Sequence, residues 1–136
     1  MLTAGDFEGR WQLSRQIDDK LLGQAGTFDG TAELTGSGNT MHYREDGQIR
    51  IGDGQPMTAT RRYRWTFTGE DVNVTFADGQ PFHRFVPEGC VAGTEHPCGN
   101  DLYRVTYDFS AWPEWTAIWT VVGPRKDYTS RSRYCR

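Results

Sequence analysis

Cysteine is scarce, and that scarcity is the first constraint: three residues, Cys90, Cys98 and Cys135, stand in a chain of 136. An odd, sparse set makes a poor disulfide framework, so the expectation is free thiols and a reducing compartment. Long apolar runs are also missing. No stretch reads as a membrane span, and Met1-Leu2-Thr3-Ala4-Gly5-Asp6 has neither the basic start nor the apolar core of a signal peptide, so a cytoplasmic protein is expected. Charge of one sign is lacking too. Fifteen basic and 18 acidic residues give a formal charge of -3, which supplies no field drawing the chain onto nucleic acid or anionic lipid. The one local bias is the tail, where Arg125, Lys126, Arg131, Arg133 and Arg136 outnumber Asp127, and a solvated strand face explains it. No phosphate loop, nucleophile elbow, dinucleotide fingerprint or metalloprotease helix is present.

Aromatic residues and glycines are plentiful. Seven Phe, six Tyr and five Trp can form a core although only 36% of the chain is apolar. Sixteen glycines without a period, many beside Asp, Asn, Ser or Thr, mark many turns and therefore many short strands. The length suits a single domain spanning 1–136.

Alternation carries the secondary structure. Trp11, Leu13 and Ile17 alternate with polar neighbours, as do Phe28, Ala32 and Leu34 in a second strand. Between them, Asp18 to Gly26 reads as a helical turn closed by Gly23 or as a wide loop. Met41, Tyr43 and Glu45 lead to Asp46-Gly47, a hairpin signal with a return over Gln48–Ile51. Tyr63, Trp65 and Phe67 share one face of the next strand; Val72, Val74 and Phe76 follow, then Phe82 to Val86. From Pro87 to Asn100 the pattern lapses into a Gly-, Pro-, Cys- and His-rich loop that would serve as a lid. Tyr103, Val105, Tyr107 and Phe109, then Trp115, Ala117, Trp119 and Val121, then a strand over Lys126–Tyr134 complete the series.

The expected fold is all-β: a closed antiparallel up-and-down barrel of nine or ten strands with little helix, whose closure removes exposed sheet edges. A β-sandwich is the alternative. Trp11, Tyr63, Trp65, Phe67, Tyr107 and Trp119 are expected to point inward.

Phe7-Glu8-Gly9-Arg10-Trp11 resembles the Gly-x-Trp entry of lipocalins and related calycin barrels. In that family the Trp closes one end and a late Arg packs across it, so the resemblance implies a partner for Trp11 in Gly123-Pro124-Arg125-Lys126. Trp119 to Tyr128 is similar to an uncharacterised bacterial family of lipocalin-like proteins. The chain is shorter than a secreted lipocalin and lacks its signal peptide and disulfide, so a barrel of the fatty-acid-binding or nitrobindin kind fits better, with no residue carried over.

Strict alternation also turns Arg61 inward with Tyr63 and Trp65, Arg15 with Trp11 and Leu13, and Glu45 with Tyr43. Charge on an apolar face must be paired or solvated. One reading is an internal site for an apolar or aromatic ligand, in which Arg15 or Arg61, with Tyr63, grips an acidic group against Tyr43, Glu45, Trp65, Tyr107 and Trp119. The other is an internal Arg–Glu pair, or arginines reaching water at the barrel mouth.

A second constellation is His83, Cys90, His96 and Cys98 with Asp101 behind, residue types that zinc prefers, in a spacing that matches no recognised finger. It supports either a metal-assisted or acid–base enzyme, or a loop of free thiols and hydrogen-bonded side chains; a Cys90–Cys98 disulfide is a third option outside a reducing compartment. The preferred reading has no metal or other cofactor, a small-molecule ligand, and no nucleic-acid or membrane partner. A structural or interaction domain with a filled barrel is the remaining alternative.

Overall fold

The computed structural model describes residues 1–136 as an all-β barrel with one short helix. The elements are α1 (Ala4–Phe7), β1 (Gly9–Asp19), β2 (Gln24–Ser37), β3 (Thr40–Ile51), β4 (Met57–Thr68), β5 (Asp71–Phe76), β6 (Pro81–Phe85), β7 (Cys90–Ala92), β8 (His96–Cys98), β9 (Asp101–Asp108), β10 (Trp115–Gly123) and β11 (Lys126–Cys135). No helix is long and apolar enough to cross a membrane.

Every strand pairing is antiparallel, in the order β6-β5-β4-β3-β2-β1-β11-β10-β9-β7, with β8 also on β9. Eleven strands therefore fill ten positions, because β7 and β8 are two pieces of one broken stave. Between those pieces, Thr94 N–H donates to Arg84 O and Arg84 N–H donates to Thr94 Oγ1, both at 2.9 Å, joining the stave to β6 and nearly closing the ring. Residues 90–98 thus become barrel wall, with bends or turns on either side, and the expectation of a lid loop is overturned. Gly93 makes this possible: a Cβ there would stand 2.6 Å from Val105 Cγ1.

Alternation sets the interior. Trp11 and Leu13, Phe28, Ala32 and Leu34, Met41, Tyr43 and Glu45, and Trp115, Ala117 and Val121 are buried on their strands while their neighbours face outward. Trp65 and Tyr107 are buried, and Tyr63, Phe67 and Trp119 half-buried, all against the core, as the alternation predicts.

Three local readings change. β3 runs unbroken through Asp46-Gly47, so the expected hairpin is absent. Gly47 instead faces Gly30 on β2, where the strands pass so closely that a Cβ on Gly30 would lie 2.6 Å from Gly47 Cα and 2.0 Å from Asp46 O. Asp18 to Gly26 is neither helix nor wide loop: β1 reaches Asp19, β2 starts at Gln24, and Asp19 Oδ1 accepts from Leu22 N–H (3.1 Å) while Gly23 takes φ +62. Finally, the cation across Trp11 is Arg136, 4.0 Å above the ring, rather than Arg125 or Lys126, which lie at the opposite end of β11.

Arg136 also donates through Nη2 to Asp6 O (2.6 Å) and Glu8 O (3.0 Å), tying α1 across the barrel end. Phe7, fully buried, meets Trp65, Phe109, Trp112 and Trp115 edge-on at 5.0–5.8 Å, and Trp11 Nε1–H donates to Phe7 O at 2.9 Å. Edge-to-face rings at these separations are favourable beyond the area they bury. One end is therefore plugged, and free space remains only toward the other. Gly30→Ala is expected to lower the stability measured in urea by about 1–3 kcal/mol, the usual cost of overpacking, because the clash is with backbone; a neutral effect would show that β2 and β3 can part there freely.

Candidate functional site

The unplugged half holds a cavity of about 700 Å³. Its walls are mostly apolar: Ile17, Phe28, Ile49, Phe76, Phe82, Trp119 and Val121 among them. Leu21, Leu22, Ile51 and Met57, on the turns and strand ends that surround the mouth, remain exposed. Phe82 stacks on Trp119 at 4.9 Å and on Phe76 at 4.6 Å, so the three rings form an aromatic stack on one side of the cavity. The interior is not filled by side chains, which removes the filled-barrel reading.

All eight residues expected at an interior site, Arg15, Tyr43, Glu45, Arg61, Tyr63, Trp65, Tyr107 and Trp119, line this one cavity. They play unequal parts. Arg15 and Glu45 form a buried pair: Nη2 donates to Oε2 at 2.5 Å, Nη1 to Oε1 at 3.2 Å, and Arg15 Nε to Ser132 Oγ at 2.6 Å. Tyr43 O–H donates to Glu45 Oε2 at 2.8 Å and lies 2.7 Å from the Tyr134 hydroxyl. Arg15 also sits 5.1 Å above the Phe28 ring. Burial alone would lower the Arg15 pKa; the adjacent Glu45 carboxylate outweighs it and the net shift is upward. Burial, with Glu45 next, pushes Tyr134 up to about 12, and burial holds Tyr43 and Tyr107 well above the ordinary phenol range. The phenols are therefore neutral hydrogen-bond donors. The internal Arg–Glu pair is thus realised by Arg15, whose guanidinium is already engaged.

Arg61 differs. It lines the same cavity but stands nearer the mouth than Tyr63 and is exposed, so it is the arginine that reaches water at the barrel mouth, and no carboxylate lies within ion-pair distance of it. With Glu45 matched to Arg15, Arg61 and Asp19 are the arginine and the carboxylate lining the cavity that have no ion-pair partner.

The His/Cys constellation does not assemble. No three His, Cys, Asp or Glu side chains converge to hold a metal. Cys90 is exposed and opposite Asp108, Cys98 exposed and opposite Asp101, and Asp101 pairs with Lys126 at 3.2 Å. The reason is geometric: Cys90 is on β7 and Cys98 on β8, separate pieces of the broken stave, and His83 is buried on β6. His96 and Cys98 do reach the cavity rim, with His96 edge-on to Phe82 at 5.1 Å. His83 Nε2 lies 2.7 Å from the Tyr107 hydroxyl, and its pKa is pushed down to about 3 by burial and, secondarily, by His96. Sequence reasoning missed the Tyr43–Tyr134 and Ser132 contacts with the pair; Ser132 and Tyr134 share inward parity on the last strand, which was the available signal.

A plugged antiparallel barrel with an interior cavity defines a lipocalin-like domain. Residues 7–136 match DUF6314, a family of unknown function, and the chain belongs to that family. No curated protein matches it. Among solved structures, it is similar to the S-type phycobiliprotein lyase CPES of Guillardia theta, with a TM-score of 0.69 at 7% identity over 98% of this chain and 89% of that one. It is also similar to a DUF3598-family protein of unknown function from Nostoc punctiforme, with a TM-score of 0.59 at 14% identity over 98% of this chain and 48% of that one. At such identities the likeness is one of fold.

The buried neutral His83 gives a signed pH dependence. Its folded pKa lies below the unfolded value of 6.5, so its contribution is intact above 6.5 and declines as pH falls toward 3, where the unfolded chain binds the extra proton. Within that window His83 adds a slope of about 1.4 kcal/mol per pH unit. Urea unfolding at stepped pH should show a shallower acid slope in His83→Leu than in the wild type; parallel slopes would contradict a neutral buried imidazole.

Proposed function

We propose that this barrel binds a small apolar or aromatic molecule bearing an acidic group, held in the interior cavity. The observation that carries the reading is a 700 Å³, largely apolar cavity containing one arginine, Arg61, without a carboxylate partner. Cavities of this size and lining suit small organic ligands, and a few placed polar groups orient them. Arg61 receives the acid, with the Tyr63 hydroxyl beside it. The Phe76–Phe82–Trp119 stack lies along the apolar body, and Trp65 and Tyr107 lie deeper. Arg15, Glu45 and Tyr43 form a polar floor whose charges already cancel. The barrel shared with a phycobiliprotein lyase is compatible with holding a molecule inside, but the reading rests on this chain's own cavity. A metal-assisted enzyme is not favoured, since His83, Cys90, His96 and Cys98 do not converge.

Native mass spectrometry of protein taken directly from cells should reveal a co-purifying organic acid. Tryptophan fluorescence titrations then compare aromatic and aliphatic carboxylates with their amides. Arg61→Leu should weaken carboxylates by about 1.5–3 kcal/mol, the worth of a charged hydrogen bond, while sparing amides. Equal losses for both ligand types, or carboxylates no tighter than amides in the wild type, would overturn the proposal.

A further inference from the structure

The outer face of β3 and β4 carries a second concentration of positive charge, separated from the cavity by the sheet itself. Register places His42 opposite Arg64 and Arg44 opposite Arg62, all four exposed and on the same outward parity. Residues directly opposite have Cβ atoms about 4.5–5.5 Å apart, and like charges so placed destabilise a sheet. The next residue on the same face is roughly 6.7 Å along the strand. The result is a two-by-two grid of three arginines and His42, in which Arg44 and Arg62 are the like charges placed directly opposite. A groove of about 500 Å³ lies over it, bordered by Glu33 and Thr35.

Charge accounting shows what the grid lacks. Arg44 is bound by Asp46 (2.7 Å), Glu33 by Arg10 (3.3 Å), and Asp71 on β5 by Arg84 (3.5 Å). Those pairs consume the neighbouring carboxylates. Arg62 and Arg64 are left without ion-pair partners, two residues apart on one strand.

We infer that this face docks an acidic, extended peptide segment of a partner protein, with carboxylates at alternate positions meeting Arg62 and Arg64. An extended chain repeats its side-chain direction every second residue, at the same roughly 6.7 Å spacing as the two arginines. Each guanidinium presents a fork matched to a carboxylate. A nucleic-acid strand fits less well, because the grid carries no outward Phe, Tyr or Trp for base stacking. The site is independent of the ligand cavity.

The test is fluorescence anisotropy of the full chain with a labelled peptide of alternating glutamate and serine at low ionic strength, with a short oligothymidylate as the rival probe. The peptide should bind in a salt-sensitive manner, and Arg62→Glu and Arg64→Glu should each weaken it by roughly tenfold or more. Arg131→Glu, the same charge change at an exposed site on β11, and Arg61→Leu in the cavity should leave binding unchanged. Arg62→Gln and Arg64→Gln repeat the comparison without reversed charge should either reversal impair folding. Absence of peptide binding, an equal loss in Arg131→Glu, or tighter binding of oligothymidylate through the same two arginines would overturn the inference.

Discussion

The Arg15–Glu45 pair is the constraint around which the interior is arranged. Strand parity obliges both residues to face inward, on β1 and β3 with β2 between them, and Glu45 is almost wholly buried. A buried charge left alone costs about 3–5 kcal/mol, far more than an exposed pair contributes. The surrounding residues answer that cost: both guanidinium Nη atoms go to the carboxylate, Nε to Ser132 on β11, and the Tyr43 hydroxyl to Glu45. Two Arg15–Glu45 bonds thus reach past β2 to link β1 to β3, and a third holds Arg15 to its register partner Ser132 on the adjacent β11, in addition to the backbone ladder. Because this network consumes Glu45, it also decides that Arg61 is the cation with no internal match.

The two ends of the barrel solve opposite problems with the same residue type. At the plugged end, Phe7, Trp11, Trp112 and Trp115 meet edge-on and leave no room. Toward the mouth, Phe76, Phe82 and Trp119 lie nearly parallel, which lines one wall and leaves the volume in front of it open. α1 makes the difference: it inserts Phe7 into one end, and Arg136 from the last residue of the chain holds it there through two carbonyls. A barrel without such a plug would be open at both ends, and a ligand would have no floor.

Much of this was legible in the sequence, because period two is a local signal that survives into the fold. The alternation at Tyr63-Trp65-Phe67, and the odd presence of Arg15, Glu45 and Arg61 on apolar faces, led directly to the lining of the cavity. What failed to be legible shares a cause: one letter serves two physical needs. Gly47 after Asp46 reads as a turn, but glycine is equally required where two strands approach too closely for a Cβ, and only the position of Gly30 across the sheet reveals which. Gly93 in the 87–100 stretch is the same case, marking close packing in a wall segment that reads as loop. The Arg partner of Trp11 was misplaced because contacts between chain ends depend on strand direction: β11 begins at the mouth and finishes at the plug, so Arg136 and not Arg125 arrives beside Trp11.

Under the proposed function, selectivity would follow from which polar groups are spent. A cationic ligand entering the cavity would find the Glu45 oxygens already accepting from Arg15 and Tyr43, and would have to displace a buried, bidentate partner to reach them. An anionic ligand meets no such competition at Arg61. Discrimination is a difference of affinities, and under the proposed function it would arise as much from what Glu45 refuses as from what Arg61 offers. The same reasoning separates the outer face of β3 and β4 from the rest of the surface. On that face Arg44 is held by Asp46, whereas Arg62 and Arg64 stand two residues apart on one strand with no ion-pair partner. In both places the informative residue is the arginine left over after the internal pairs have closed.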